Sequence, residues 1–273
     1  MGRLFKNPIV STAFTVTVGL CLIAIFAPLL SPRDPLQMDF KAQLAPPTWS
    51  NPLGADSFGR DVLSRLIHGA RISLGISLSA VLLSVAIGVP LGCVAGYLGG
   101  LTDEILMNIA DGLLSLPPLV IAVALVGTMG PSLRNVVFAL TVVYAPRFAR
   151  LSRATVVSLR GQEFVQAVWA LGARGLRILG RHIVPNTVAP LLVLATVTFG
   201  QALIAESGLS FLGLGAQPPT PTWGSMLSES QAFIQQAPWL PVFPGLAIML
   251  AVLAFNILGD AVRDVIDPKL RGR

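Results

Sequence analysis

Six apolar runs, each near the length of a membrane-crossing helix, constrain this chain more than any other feature. They cover about 8–30, 72–98, 105–129, 136–151, 188–210 and 240–261. A hydrocarbon core about 30 Å thick needs roughly 20 residues of α-helix, and five of the runs meet that length. The fourth is shorter, and Pro146, Arg147 and Arg150 interrupt its end. The first run follows Arg3 and Lys6, as the apolar part of a secretory signal does. It is longer than the usual ~7–15 residues of such a region, and Pro28 spoils a small-residue cleavage site, so it reads as a retained span. The expectation is an all-α polytopic membrane protein with six transmembrane helices.

Composition agrees. Only 12% of residues are charged and 53% are hydrophobic, against roughly 25% charged in a soluble domain. The formal charge of +6 does not point to nucleic acid, because the basic residues lie between and beside the apolar runs. That placement fits loops at a membrane surface. Cys21 and Cys93 both fall inside apolar runs, which suggests neither a disulfide framework nor a metal site. The sequence has no Walker-type phosphate loop, no HExxH and no nucleophile elbow. No catalytic, cofactor-binding or metal-ligating residue is therefore assigned, and the chain reads as one polytopic membrane unit over 1–273, not an enzyme.

Orientation follows from the basic residues. With six spans both termini share a side, and that side receives 13 Lys and Arg against 6 on the other. The bias places the termini and the 152–187 loop in the cytoplasm. Loops 31–71, which carries an amphipathic helix, and 211–239 then face outward.

The 152–187 loop contains "EFVQAVWALGARGLRILGRHIVPN", residues 163–186. Ala167, Ala170 and Leu171 share a helical face by their spacing. Gly172 and Gly175 permit a turn that bulkier residues resist. A second amphipathic stretch, 176–183, is expected to stop at Pro185, which lacks an amide donor. Two short helices meeting at a glycine, with Arg174, Arg177 and Arg181 around them, make a cationic knob. Such a knob suits the groove of a soluble partner, and equally suits the surface of anionic lipid.

The same segment resembles the EAA loop of ABC importer permeases: an EAA triplet, then Gly, then a hydrophobic-Leu-Pro ending. Those positions read Gln166-Ala167-Val168, Gly172 and Ile183-Val184-Pro185, so Gln166 stands in place of the acid and Val168 in place of the second alanine. The resemblance implies a coupling helix docked on an ATPase subunit. Its residues would be Glu163, Gln166, Ala167, Ala170, Leu171, Gly172, Arg174, Arg177 and Pro185.

Two further stretches narrow the family. "NPLGADSFGRDVLSRLIHGARISL", residues 51–74, joins a glycine-rich turn to an amphipathic helix with Val62, Leu63, Leu66 and Ile67 as its apolar stripe. Asp56 is placed to cap that helix. The stretch resembles the "PLGTDxxGRDxxSRxxxGaR" signature of dipeptide, oligopeptide and nickel-type permeases, with Ala55 for threonine. "ESGLSFLGLGAQPPTPTWGSML", 206–227, resembles the same family's hallmark, as does the tail "GDAVRDVIDPKLR" from Gly259. Its glycines and prolines describe a span that ends and turns back, and Trp223 suits a bilayer interface.

Polar groups inside the runs are candidates for the translocation path or its gate, since burying them in lipid is costly. Asp111 lies ~10 Å into the third run, close to the break at Pro117-Pro118. Gln201 and Glu206 lie in the fifth run and Asn256 in the sixth. For each the plainer role is a helix cap or a helix–helix hydrogen bond. Gly88, Gly92 and Gly96 at four-residue spacing allow close helix packing.

The resemblance covers about 30–271 and implies a type I ABC importer permease fold in a cell (inner) membrane, from the subunit class with the shorter N-terminal region. It further implies a second homologous permease subunit, two ATPase subunits carrying ATP and magnesium, an extracytoplasmic substrate-binding protein and surrounding lipid, with no nucleic acid. This chain itself is expected to bind no cofactor. Peptides are the implied cargo, and nickel or another metal chelate is the alternative. An ATP-independent secondary transporter or channel is the rival class, which calls for paired ionisable groups near the bilayer midplane.

Overall fold

A computed structural model describes residues 7–173 and 175–266, and every regular element among them is a helix. The order is α1 (Pro8–Ile25), α2 (Ala27–Leu30), α3 (Val62–Leu98), α4 (Gly100–Leu114), α5 (Pro118–Met129), α6 (Leu133–Arg160), α7 (Glu163–Ala170), α8 (Leu176–Ile178), α9 (Val184–Phe211), α10 (Trp223–Ser230) and α11 (Trp239–Ile266). Four stretches are long and apolar enough to cross a membrane: α1, α3, α8–α9 taken together, and α11. A fifth is available if α4 and α5 count as one broken span.

Those helices start where local chemistry lets them. Pro8 sits in the first turn of α1, where its missing N–H costs nothing, and Asn7 accepts the Ile9 amide. Thr12 and Thr15 return their hydroxyls to carbonyls four residues back, at 2.8 and 2.9 Å. The cap of α3 is Asp61, whose carboxylate accepts from the Ser64 amide at 2.8 Å. Asp56, expected to fill that position, lies one tight turn too early. It accepts the amides of Phe58 and Arg60 and closes that turn instead. The amphipathic stretch of 62–71 is not a separate helix. It is the first part of α3, which runs 37 residues without a break.

The third apolar run is not one straight helix. α4 and α5 meet at 91°, because Pro117 and Pro118 cannot donate the amides that would carry α4 onward. Ser115 caps the end of α4 and Pro118 opens α5. The fourth run extends well beyond its predicted bounds as the 28-residue α6, capped by Ser132. Its length is ample, yet Arg147, Arg150 and Arg153 keep it from being an apolar span.

Packing centres on α3 and α6, with α9 against both. The glycine stripe explains the close approach. A Cβ on Gly88 would lie 2.3 Å from the Ala145 carbonyl oxygen, and one on Gly92 would lie 2.0 Å from that of Ala149. Leu140, Phe148, Leu203 and Leu209 fill the core beside this seam. α11 closes on α9 through Phe199 and Phe255, whose rings are 3.9 Å apart, and α1 packs on α11 and α3.

Candidate functional site

Two regions carry the residues singled out by the sequence. The first is the connection from α6 to α9. α6 ends as Arg160 donates to the Tyr97 carbonyl at 2.9 Å, with its guanidinium 5.6 Å from the Tyr97 ring. From there the chain is anchored by a compact apolar cluster. Val165, Ile178, Leu179 and Ile183 pack with Cys93 and Val156, the ends of α3 and α6. Val168, which departs from the family triplet, joins this anchor from its edge. Its extra bulk faces inward, away from the open face.

That open face is the one predicted from spacing. Glu163, Gln166, Ala167, Ala170, Leu171, Gly172 and Arg177 are all exposed. The Gln166 amide donates to the Gly161 carbonyl at 3.3 Å. Trp169, Leu171 (88% exposed) and Leu176 (82%) stand free as large apolar side chains. Gly172 at φ +90° and Gly175 at +54° make the reversal between α7 and α8, a backbone region that L side chains avoid. A hollow of about 370 Å³ lies between this reversal and the body, lined by Tyr97, Arg160, Val165, Gln166, Trp169 and Ile178. Arg174 lies outside the described residues, as does the tail from 267.

Pro185 does not stop a helix, contrary to the expectation. It falls in the first turn of α9. The chain reaches that turn through a π-helical stretch, Leu179–Ile183. Widening the coil there accommodates the missing amide, so α8 runs on into α9.

The second region is the set of polar groups on the long helices. Asp111 of α4 pairs with Arg150 of α6 at 3.4 Å, with both side chains more than half exposed. Asp103, two turns earlier, binds Arg153 through two contacts of 2.8 and 2.6 Å. Gln201 of α9 accepts from Arg147 of α6. Asp111 and Gln201 are thus brought to neighbouring turns of α6 by the two arginines that interrupt the end of the fourth apolar run. The other two polar candidates stay apart from them. Glu206 is fully buried and accepts the Ser210 hydroxyl at 2.8 Å. The Asn256 side chain lies against Gly200 at the α9–α11 contact. Their contacts are those of helix packing.

A third assembly was not foreseen. Arg60 donates to Asp56 at 2.6 Å and to Glu229 at 2.7 Å, while Arg65 donates to Glu229 at 2.9 Å and lies 3.3 Å from Asp56. The two arginines are almost entirely buried, and Glu229 comes from α10, far along the chain. Beside this quartet, Trp223 donates its indole N–H to the Leu66 carbonyl at 3.0 Å, and its backbone amide reaches the Ser73 hydroxyl at 3.2 Å. Trp223 was expected at a bilayer interface. It is sealed against α3 instead, because its one polar atom finds a partner there. The two family-like signatures of 51–74 and 206–227 therefore clasp each other.

Residues 88–272 match the model of binding-protein-dependent transport system inner membrane components, and 1–47 match the N-terminal TM domain of oligopeptide transport permease C. The chain therefore belongs to the inner membrane permease family of binding-protein-dependent ABC transporters. As a member it is a non-catalytic, multi-pass membrane subunit that associates with ATPase and membrane components.

Among its relatives, the dipeptide transport system permease protein DppC of Alkalihalophilus pseudofirmus is 44% identical over 98% of this chain and 88% of its own length. The di/tripeptide transport system permease protein DppC of Pseudomonas aeruginosa is 42% identical over 97% and 89%. The glutathione transport system permease protein GsiD of Escherichia coli O157:H7 is 42% identical over 99% and 89%. A solved structure of the MetNI methionine ABC transporter, in an inward-facing conformation, shares the fold. Its TM-score is 0.61 at 18% identity, over 75% of this chain and 97% of that one.

Proposed function

We propose that this chain is half of the membrane pathway of an ATP-driven importer of small peptides, and that residues 163–185 couple it to an ATPase subunit. In this reading α6 is the fourth of six spans and the bent α4–α5 pair is the third. Both termini and the α7–α8 reversal face the cytoplasm, while the Asp56–Glu229 quartet faces outward. A second, homologous permease subunit completes the path. Two ATPase subunits, which carry ATP and magnesium, sit below, and a substrate-binding protein delivers cargo from outside.

The observation that carries the coupling role is the contrast within one short segment. Val165, Ile178 and Ile183 lock it to the ends of α3 and α6. Leu171 and Leu176 leave its far side apolar and uncovered. A segment rigidly tied to two long helices transmits a push to them, and an apolar face beside a basic one suits a protein groove. A shift from 1:99 to 99:1 between two states of the path needs ~5.5 kcal/mol of differential binding, which the nucleotide-driven partner supplies through this contact. Peptide cargo is favoured because the relatives' names specify dipeptides, di/tripeptides and glutathione, all small peptides.

The test is reconstitution in proteoliposomes with the partner permease, the ATPases and the binding protein. Peptide uptake is expected to require ATP and to be lost without the ATPase subunits. Uptake that proceeds equally without ATP would overturn the reading in favour of a secondary transporter or channel.

A further inference from the structure

Arg147 is the fifteenth of the 28 residues of α6. At ~1.5 Å per residue it lies about 20 Å from either end of that helix. An arginine in a helix that crosses a membrane faces protein or water, because lipid tails offer its donors nothing. Its guanidinium donates to Gln201 of α9 and sits 5.2 Å from the centre of the Tyr144 ring. Both partners are uncharged. The carboxylates in ion pairs among the described residues are Asp56, Asp103, Asp111 and Glu229, and none of them pairs with Arg147.

Its neighbours on α6 differ in this respect. Arg150 is balanced by Asp111 and Arg153 by Asp103. Arg147 therefore leaves one positive charge uncompensated midway along α6, on a partly buried side chain held by two neutral groups. Gln201, presented beside it, is exposed. The anion for this position therefore comes from outside the described chain, and a peptide importer supplies one in every cargo that ends in a free carboxylate.

We propose that Arg147 is a carboxylate-recognition point on the translocation path, braced by Gln201 and Tyr144 to receive the terminal carboxylate of a passing peptide. The inference rests on the peptide-import reading above and adds to it a chemical requirement on the cargo. Gln201 fixes the guanidinium by taking one of its five donors and leaves the rest for the incoming carboxylate. The Tyr144 ring face favours the cation without neutralising it. Because the attraction is met by no resident carboxylate, it is available to each cargo in turn and released as the cargo moves on.

The experiment uses the full transporter in proteoliposomes, with the binding protein at concentrations saturating for each cargo. The cargoes are a tripeptide with a free C-terminus and the same tripeptide as its C-terminal amide. Arg147→Gln is expected to lower the free acid delivered per ATP roughly tenfold, the scale of one hydrogen bond to a charged group, and to leave the amide unchanged. Arg147→Lys is expected to retain most free-acid delivery.

Equal loss of both cargoes in Arg147→Gln, no loss of either, or no rescue by lysine overturns the proposal. If the wild type does not carry the amide, the contrast between Gln and Lys on the free acid decides alone. An Arg147→Gln subunit that fails to assemble where Arg147→Lys assembles would assign the counter-ion to a partner subunit and overturn the cargo role. Absence of ATP-driven peptide uptake by the wild type overturns the peptide-import reading itself. A transporting wild type with an indifferent Arg147→Gln overturns only this inference.

Discussion

The clasp between residues 51–73 and α10 and the reversal between α7 and α8 are both polar, glycine-bearing connections, yet they are finished in opposite ways. In the clasp the four charges of the quartet are paired with one another. Arg65 is 1% exposed, and Asp56, Arg60 and Glu229 surround it. In the reversal only the inner side is packed, and Leu171 and Leu176 have nothing over them. The first is a joint that the subunit completes by itself. The second is a surface built to be completed by another molecule. Substitutions should therefore divide into those that unfold the subunit and those that leave it folded and uncouple it.

The largest effect is expected from Arg65→Ala. Removing one partner of a buried ion pair costs about 3–5 kcal/mol, because the remaining charges keep their desolvation cost and lose their compensation. Thermal unfolding of the purified subunit in detergent should show a clear drop in midpoint. The double substitution Arg65→Met with Glu229→Met should recover much of it. If Arg65→Ala unfolds like the wild type, the clasp is not the self-sufficient joint described above.

Next comes Leu171→Ala with Leu176→Ala. Burying a leucine side chain fully stabilises a contact by about 1.5–3 kcal/mol. Both side chains are exposed in this chain, so the unfolding midpoint should hold steady. Co-purification with the ATPase subunits should instead weaken by one to two orders of magnitude. A fall in the midpoint with unaltered partner binding would reverse the assignment of the two regions.

These contrasts also show what the sequence made legible. Apolar length placed α1, α3, α9 and α11, and spacing placed Ala167, Ala170 and Leu171 on one face, because both signals act within a few turns. The glycine stripe of α3 was readable for the same reason, and Gly88 and Gly92 do meet α6 backbone. The clasp was not readable. Glu229 stands 169 residues from Arg60, and no local period records such a pairing. Asp56 and Asp61 both suit a helix cap by type, and only the turn closed by the Arg60 amide decides between them. Pro185 misled because a proline that ends one helix and a proline that opens the next look alike in sequence. For the polar candidates, the sequence supplied Asp111 and Gln201 but not their partners Arg147 and Arg150, which in sequence only interrupt the end of the fourth run although α6 runs through them.

A smaller effect should come from Gly172→Ala. The position has φ +90°, and nothing lies within 4 Å of where a Cβ would stand. The cost is therefore backbone strain alone, about 1–2 kcal/mol. It falls on a segment held at one side only, so it should loosen the reversal without unfolding the helices. Peptide delivered per ATP should fall while the melting midpoint changes little. A variant coupled as tightly as the wild type would show that the shape of this turn is not what passes motion between subunits.

The smallest effect is expected from Asp111→Asn. Its partner Arg150 is 57% exposed, Asp111 itself is 53% exposed, and the contact is 3.4 Å. Ion pairs open to water are worth about 0–1 kcal/mol, far less than the quartet of the clasp. Asp103→Asn, which breaks the shorter two-contact pair with Arg153, should cost more, and comparing the two melting midpoints measures how wet this face is. If Asp111→Asn proves as damaging as Arg65→Ala, water does not reach Arg150, and the face of α6 that carries Arg147 and Arg150 closes against protein instead of lining an aqueous path.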